Sequence, residues 1–245
     1  MYGDNQDNND KKEIGDVLFG WKRRFDNFVY HYKFLLLAII AVVAILMFTI
    51  VQCAARTDPD ADIAYAGTKV FDIFEMNLIQ AAFDEILGED LNGDGKIHTN
   101  FVYFLFMTDH QIEDARARGE IVDVQAARIV QTQLGLEIIA ANNIIYFLSP
   151  EAYRAIRRTG DTNNFMFIDH ALGYLPSGEI LFDDFAIRLR ELPCYEYFDG
   201  ISAFPEDTLL AIREKHGGDD RLAQEKHERN LIMFRRIVAF DYLED

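Results

Sequence analysis

The run Phe34–Val51 (FLLLAIIAVVAILMFTIV) contains no charged residue, and the chain stays uncharged through Ala55. As a helix, residues 34–55 reach about 33 Å, enough for a hydrocarbon core of about 30 Å. A secretory signal has a shorter apolar core and a shorter lead-in, so the pattern predicts an uncleaved single-pass transmembrane helix. Lys22, Arg23, Arg24 and Lys33 precede the run, whereas Arg56 and Lys69 follow it among Asp58, Asp60 and Asp62. The bias of basic residues places the N-terminus in the cytoplasm and the larger C-terminal part outside, in the cell envelope. Residues 1–33 read as a cytoplasmic tail. Within it Ile14, Val17, Leu18, Trp21, Phe25, Phe28, Val29 and Tyr32 recur at helical spacing, as in an amphipathic segment lying in the interface.

Charge separates the two sides of the run. The formal net charge is −17, and the 18 basic and 35 acidic residues beyond the run account for all of it. A surface this negative is repelled by phosphate backbones, which excludes nucleic acid as a partner of the outer part. Half the residues are apolar, ample for one core. The cysteines, Cys53 and Cys194, do not make a disulfide framework and read as small apolar residues.

Residues 56–62 (RTDPDAD) form a short polar linker, and 63–245 read as one extracytoplasmic α/β domain. Ile63–Ala66 is a strand, followed by Gly67-Thr68 and a helix to about Leu87. Ile97–Phe106 is an aromatic strand, and Thr108 caps a helical region that continues to Ala141. Asn143–Leu148 is a strand of the fully buried kind, after which Ser149 at the N-cap and Pro150 at N1 start another helix. Phe165–Ile168, Phe185–Leu189 and Leu209–Arg213 are further strands. A final helix from about Asp220 to Tyr242 buries Leu231, Phe234, Ile237 and Val238. Strands alternating with helices predict a single three-layer domain with a largely parallel sheet covered on both faces.

Two groups of residues are candidates for binding. Asp90-Leu91-Asn92-Gly93-Asp94-Gly95-Lys96 has the spacing of a calcium loop, with oxygens from Asp90, Asn92 and Asp94, a glycine at the sixth place and the Lys96 carbonyl at the seventh. The twelfth place, which needs a bidentate carboxylate, holds Phe101. The same residues also suit a tight turn with positive φ at its glycines. Calcium is thus the one candidate cofactor. In open α/β sheets ligands bind beyond the carboxyl ends of the strands, which here are Gly67, Thr68 and Ser149. The pairs Asp109-His110 and Asp169-His170 lie near no nucleophile motif, the six histidines lack metal spacing, and no glycine-rich phosphate loop occurs. The expectation is a non-catalytic protein.

The stretch from Val130-Gln131-Thr132-Gln133-Leu134 to Phe147-Leu148-Ser149-Pro150-Glu151-Ala152-Tyr153 carries a resemblance. A helix with a Gln-Thr-Gln-Leu pattern leads into a buried strand, and Ser-Pro-Glu opens the next helix. This resembles lobe one of the bacterial extracytoplasmic solute-binding proteins of ABC transporters. Phe167-Ile168-Asp169 looks like that family's short segment after the lobe-one helix. The similarity covers about Ile63 to Asp169. That family closes two lobes on its ligand, whereas about 190 residues follow the apolar run here. The resemblance therefore implies a reduced, membrane-anchored form that binds a small solute. The alternative on the same fold is an envelope protein-interaction or structural module, with an exposed aromatic patch expected within Leu192–Phe204 at Tyr195, Tyr197, Phe198 and Phe204.

Overall fold

The computed structural model describes residues 30–35, 37–49, 58–140, 142–157, 164–215 and 221–241. The chain divides into two units, residues 1–57 and 58–245. Helix α1 (Tyr30–Thr49) belongs to the first and is long and apolar enough to cross a membrane. At its last residue, Thr49 Oγ1 donates back to the Ile45 carbonyl at 2.8 Å, so this hydroxyl is satisfied within the helix. Lys33 Nζ lies 5.3 Å from the ring centres of Tyr30 and Phe34. Residues 50–55 of the expected span, Cys53, and the amphipathic segment before Tyr30 lie outside the described residues.

The second unit is built on one six-stranded sheet of order β2-β1-β3-β6-β5-β4. Strand β1 (Ala61–Gly67) is buried along its whole length, as a strand paired on both sides and covered on both faces must be. It pairs in parallel with β2 (Thr99–Leu105) and with β3 (Ile145–Leu148), bringing Ile63 opposite Phe101 and Ile145, and Tyr65 opposite Tyr103 and Phe147. Local chemistry sets the connecting helices. Asp72 and Glu75 form a reciprocal capping box at the start of α2 (Ile73–Leu87), which ends on Gly88 at φ 67°. Thr108 and Gln111 form a second box at α3 (Asp109–Ala117). Helix α4 (Val124–Ala140) then leads to β3, and α5 (Pro150–Arg157) follows it.

In the second half of the sheet the strands alternate in direction. Beyond α6 (Ile168–Leu172), strands β4 (Leu181–Asp183) and β5 (Ala186–Arg188) form a short antiparallel hairpin. A 3-10 turn (Leu189–Glu191), α7 (Pro193–Tyr197) and α8 (Asp199–Ser202) lead to β6 (Leu209–Ile212), which is antiparallel to both β5 and β3. The expected largely parallel sheet is therefore mixed: β2-β1-β3 is parallel and β3-β6-β5-β4 antiparallel. Parallel neighbours need a crossover of a dozen or more residues, which the short link between β4 and β5 cannot supply. Phe165–Ile168, expected as a strand, contributes only a bridge from Phe165 to Arg213 before Ile168 opens α6. Helix α9 (Arg221–Val238) closes the unit and buries Phe234, Ile237 and Val238 as expected.

Apolar clusters form on both faces of the sheet. One joins β1, α2 and α9 with the segment 192–204; the other joins β3, α4 and α5. The first is centred on Phe204, whose ring is stacked on Phe147 at 4.8 Å and lies within 6.3 Å of Tyr65, Phe71, Phe83 and Phe101. The patch expected within Leu192–Phe204 is thus largely core. Leu192, Phe198 and Phe204 are buried, Tyr195 is half-buried, and only Tyr197 is well exposed.

Helix α8 reaches this core by close approach to α2, since a Cβ on Gly200 would stand 2.2 Å from the Leu78 carbonyl oxygen. Backbone cannot yield as a flexible side chain does. Gly200→Ala should therefore lower unfolding stability by about 1–3 kcal/mol, the usual cost of overpacking. Thermal or urea denaturation reads the change, and an unchanged midpoint would contradict the close packing.

Candidate functional site

The strand ends that sequence reasoning singled out separate in the structure. Tyr65 curls back over the β1–α2 turn, so a Cβ at Gly67 would lie 2.3 Å from Tyr65 Oη. Burial pushes the Tyr65 phenol up to about 12. The Gly67 carbonyl accepts from Phe106 N at 2.8 Å. Gly67 is therefore covered by the Tyr65 ring, and its carbonyl is taken up in the β1–β2 pairing. Thr68 does face a cleft of about 490 Å³, lined also by Val70, Leu105, Gln111, Asp114, Arg118 and Glu120. Arg118 Nε donates to Glu120 Oε1 at 2.7 Å, and this pairing holds the Glu120 carboxyl below its usual range. Ser149 is buried and does not line that cleft; its Oγ accepts from Ala152 N at 3.2 Å, so it serves as the helix cap.

Next to the cleft, Lys69 Nζ donates to Glu75 Oε1 at 2.8 Å and to the Ala203 carbonyl at 2.6 Å, fastening the β1–α2 turn to the segment after α8. Val70, Ile73 and Phe74, by contrast, are 62%, 83% and 70% exposed. A separate apolar pocket of about 310 Å³ lies between α4 and α5, with Phe106, Leu134, Ile138 and Ile156 in its wall.

The 90–96 segment has the backbone of a calcium loop. Asp90 Oδ1 accepts from Gly93 N and Oδ2 from Gly95 N, both at 2.6 Å, and these bonds hold the carboxyl below its usual range. Asn92 Oδ1 accepts from Asp94 N, and Asp94 Oδ1 from Lys96 N. Gly93 and Gly95 take φ of 79° and 84°. The donor set is only partly that of a cation site. Phe101 packs against the core from β2, and Glu89 is engaged by Arg236. Among the described residues, no group of three or more His, Cys, Asp or Glu side chains is arranged to hold a metal ion.

The segment is instead tied to the unit by Asp60, a residue that sequence reasoning left in the linker. Asp60 is fully buried. Its Oδ1 accepts from Leu91 N and Asn92 N at 2.8 Å, and its Oδ2 from His98 N at 2.9 Å. Two residues on, buried Asp62 accepts from Asn100 Nδ2 and stands 2.9 Å from Lys226 Nζ, while its own N–H donates to Asn230 Oδ1 at 2.7 Å. A groove of about 810 Å³ runs beside this cluster between Leu91-Asn92 and the α9 residues Leu222, Lys226, Arg229 and Ile232. The β1 start is thus a polar knot read in sequence as a solvated linker.

The acid–histidine pairs are surface features. His110 Nδ1 lies 2.8 Å from Asp114, not Asp109, and Asp169 accepts from the His170 backbone N–H. Cys194 is free and buried, and burial pushes its thiol up to about 12. Comparison of the chain with family models, curated proteins and solved structures returned no match.

The loop offers a cation the Asp90, Asn92 and Asp94 side chains and the Lys96 carbonyl, without a bidentate carboxylate. That set places calcium affinity at roughly 1 mM or weaker, the low end for such loops. Calorimetric titration of the full chain tests this, and a micromolar Kd would mean that a distant carboxylate completes the shell.

Proposed function

We propose that this protein is a membrane-anchored, non-catalytic binding module of the cell envelope, with α1 spanning the bilayer and a three-layer domain held outside it to engage a protein partner. The observation that carries the reading is the apolar rim Val70, Ile73 and Phe74, three well-exposed side chains within five residues. Val70 also lines the cleft at the ends of β1 and β2. Exposed apolar groups on the β1–α2 turn and the first turn of α2, next to the Lys69 fastening, form a pre-organised contact surface. The basic residues before the span favour a cytoplasmic N-terminus.

The solute-binding reading has its own support in the cleft, whose volume falls in the range of small-molecule sites and whose wall mixes Thr68, Gln111, Asp114, Arg118 and Glu120 with apolar side chains. It places the ligand at the carboxyl ends of parallel strands, as the resemblance to lobe one of solute-binding proteins implies.

Two measurements separate these readings. With a photo-reactive residue in place of Phe74, the full chain in its native membranes should give a discrete cross-linked adduct. The same residue at exposed Glu228 should give none, and matching results at both positions would overturn the interaction reading. A thermal-shift screen of the full chain with sugars, amino acids and short peptides tests the solute reading. A solute at a hundredfold its Kd stabilises by about 2.7 kcal/mol. Saturable stabilisation that Arg118→Ala abolishes would replace the protein partner with that solute.

Orientation is checked in whole cells in a Cys53→Ser background. A membrane-impermeant maleimide should label Ser177→Cys without permeabilisation and Lys12→Cys only after it. The reverse pattern would put the domain in the cytoplasm.

A further inference from the structure

The two edges of the sheet are treated differently by the fold. At one edge, β4 has three residues and an irregular register. Its Leu181 carbonyl accepts from Arg188 Nη1, and its Asp183 is held by Tyr153 Oη at 2.7 Å and Arg157 Nη1 at 2.5 Å. Short length, irregularity and attached charge are the devices that keep a sheet edge from pairing with another chain. At the other edge, β2 has seven residues in unbroken register with β1, and the charge attached to it, Asp84, meets its first residue Thr99.

The register of β2 defines what its outer side offers. Phe106 N donates to the Gly67 carbonyl, so the even-numbered residues of β2 turn their backbone groups toward β1. The odd-numbered residues therefore turn theirs outward. Thr99, the first of these, is already occupied, with its N–H donating to Asp84 Oδ1 and its carbonyl accepting from Gln80 Nε2. Met107 is occupied as well, its carbonyl accepting from Gln131 Nε2 at 2.6 Å. Between them, the outward N–H and C=O groups of Phe101, Tyr103 and Leu105 have no partner among the described residues. Thr99 and Met107 each lie four positions from Tyr103, so the free stretch is symmetric about Tyr103.

Charge selects what such a stretch can take. No Asp, Glu, Lys or Arg occurs from Ile97 to Thr108, in a chain of net charge −17. A basic partner would find no acid on this strand to pair with. A second copy, repelled by most of an acidic surface, would meet no like charge along it.

We propose that two copies of this chain pair antiparallel through β2 about a two-fold axis at Tyr103, extending the sheet across the dimer. Tyr103 lies opposite its own counterpart and Phe101 opposite Leu105 of the second copy. Each of these residue pairs exchanges two N–H···O=C bonds, so every free group between Thr99 and Met107 is used. Tyr103 and Leu105, 40% and 39% exposed here, become cross-strand contacts. This pairing uses none of the rim residues Val70, Ile73 and Phe74, and shares with the cleft the side chain of Leu105.

The register is tested by disulfide trapping of the full chain in detergent micelles in a Cys53→Ser background, with buried Cys194 retained. Directly opposed residues of such a pair have Cα atoms about 5.5 Å apart, within disulfide range. Mild oxidation should convert most of Tyr103→Cys to a covalent dimer. Phe101→Cys alone and Leu105→Cys alone should stay monomeric, and a mixture of the two should cross-link. Leu105→Lys should lose the dimer in sedimentation while keeping its thermal midpoint within a few degrees. Failure of Tyr103→Cys to cross-link, or equal cross-linking of Phe101→Cys and Tyr103→Cys on their own, would overturn the proposal. A rim adduct at Phe74 without dimer formation would leave the partner-binding reading standing and this one refuted.

Discussion

The Asp60 carboxylate fixes the geometry on which the second unit, residues 58–245, depends. A buried carboxylate is tolerated only when its oxygens are satisfied, and here three amide donors from Leu91, Asn92 and His98 converge on it. Those donors come from the turn after α2 and from the residue before β2. One side chain thereby sets where β2 begins relative to β1, and hence the register that puts Phe101 opposite Ile63. Asp62 continues the arrangement on the same strand and recruits α9 through Lys226 and Asn230. Strand start, loop and last helix are joined before any apolar packing is counted.

The parallel half of this unit was legible because its signals are local. Ile63–Ala66 is an apolar run, Ile97–Phe106 ends in an aromatic one and Asn143–Leu148 is apolar after its first residue, while Thr108 and Ser149-Pro150 are caps whose chemistry acts within a few residues. The antiparallel half was legible only in part: Phe185–Leu189 and Leu209–Arg213 read as strands and are β5 and β6, but their antiparallel direction did not show. The three-residue β4 carries too little alternation to be recognised, and the direction of β5 is set by pairing with β6 more than 20 residues away. Asp60 and Asp62 were read as linker because an aspartate signals solvent unless its partners are known, and those partners lie 31 to 168 positions along the chain. The same limit misplaced the aromatic segment 195–204, whose Phe204 is buried by residues from four other parts of the chain.

The candidate site was legible in part for a related reason. Strand ends can be located from sequence, and Thr68 does reach a cleft, but which side chain at a strand end faces open space depends on its neighbours. Ser149 is consumed as a cap and Gly67 is covered by Tyr65. Val70, Ile73 and Phe74 carried no motif, because an exposed apolar residue at the start of a helix has the same sequence signature as a buried one.

The position of β1 has a mechanical consequence. The chain enters the unit at Asp58, which Arg229 of α9 holds at 2.8 Å, and passes directly into a strand flanked by parallel neighbours on both sides. Tension arriving along that entry would load the β2 and β3 ladders together in shear, instead of peeling one hydrogen bond at a time. A domain joined through an edge strand would unzip under the same pull. Entering through the interior of the sheet makes the entry point also the part of the fold best arranged to resist force.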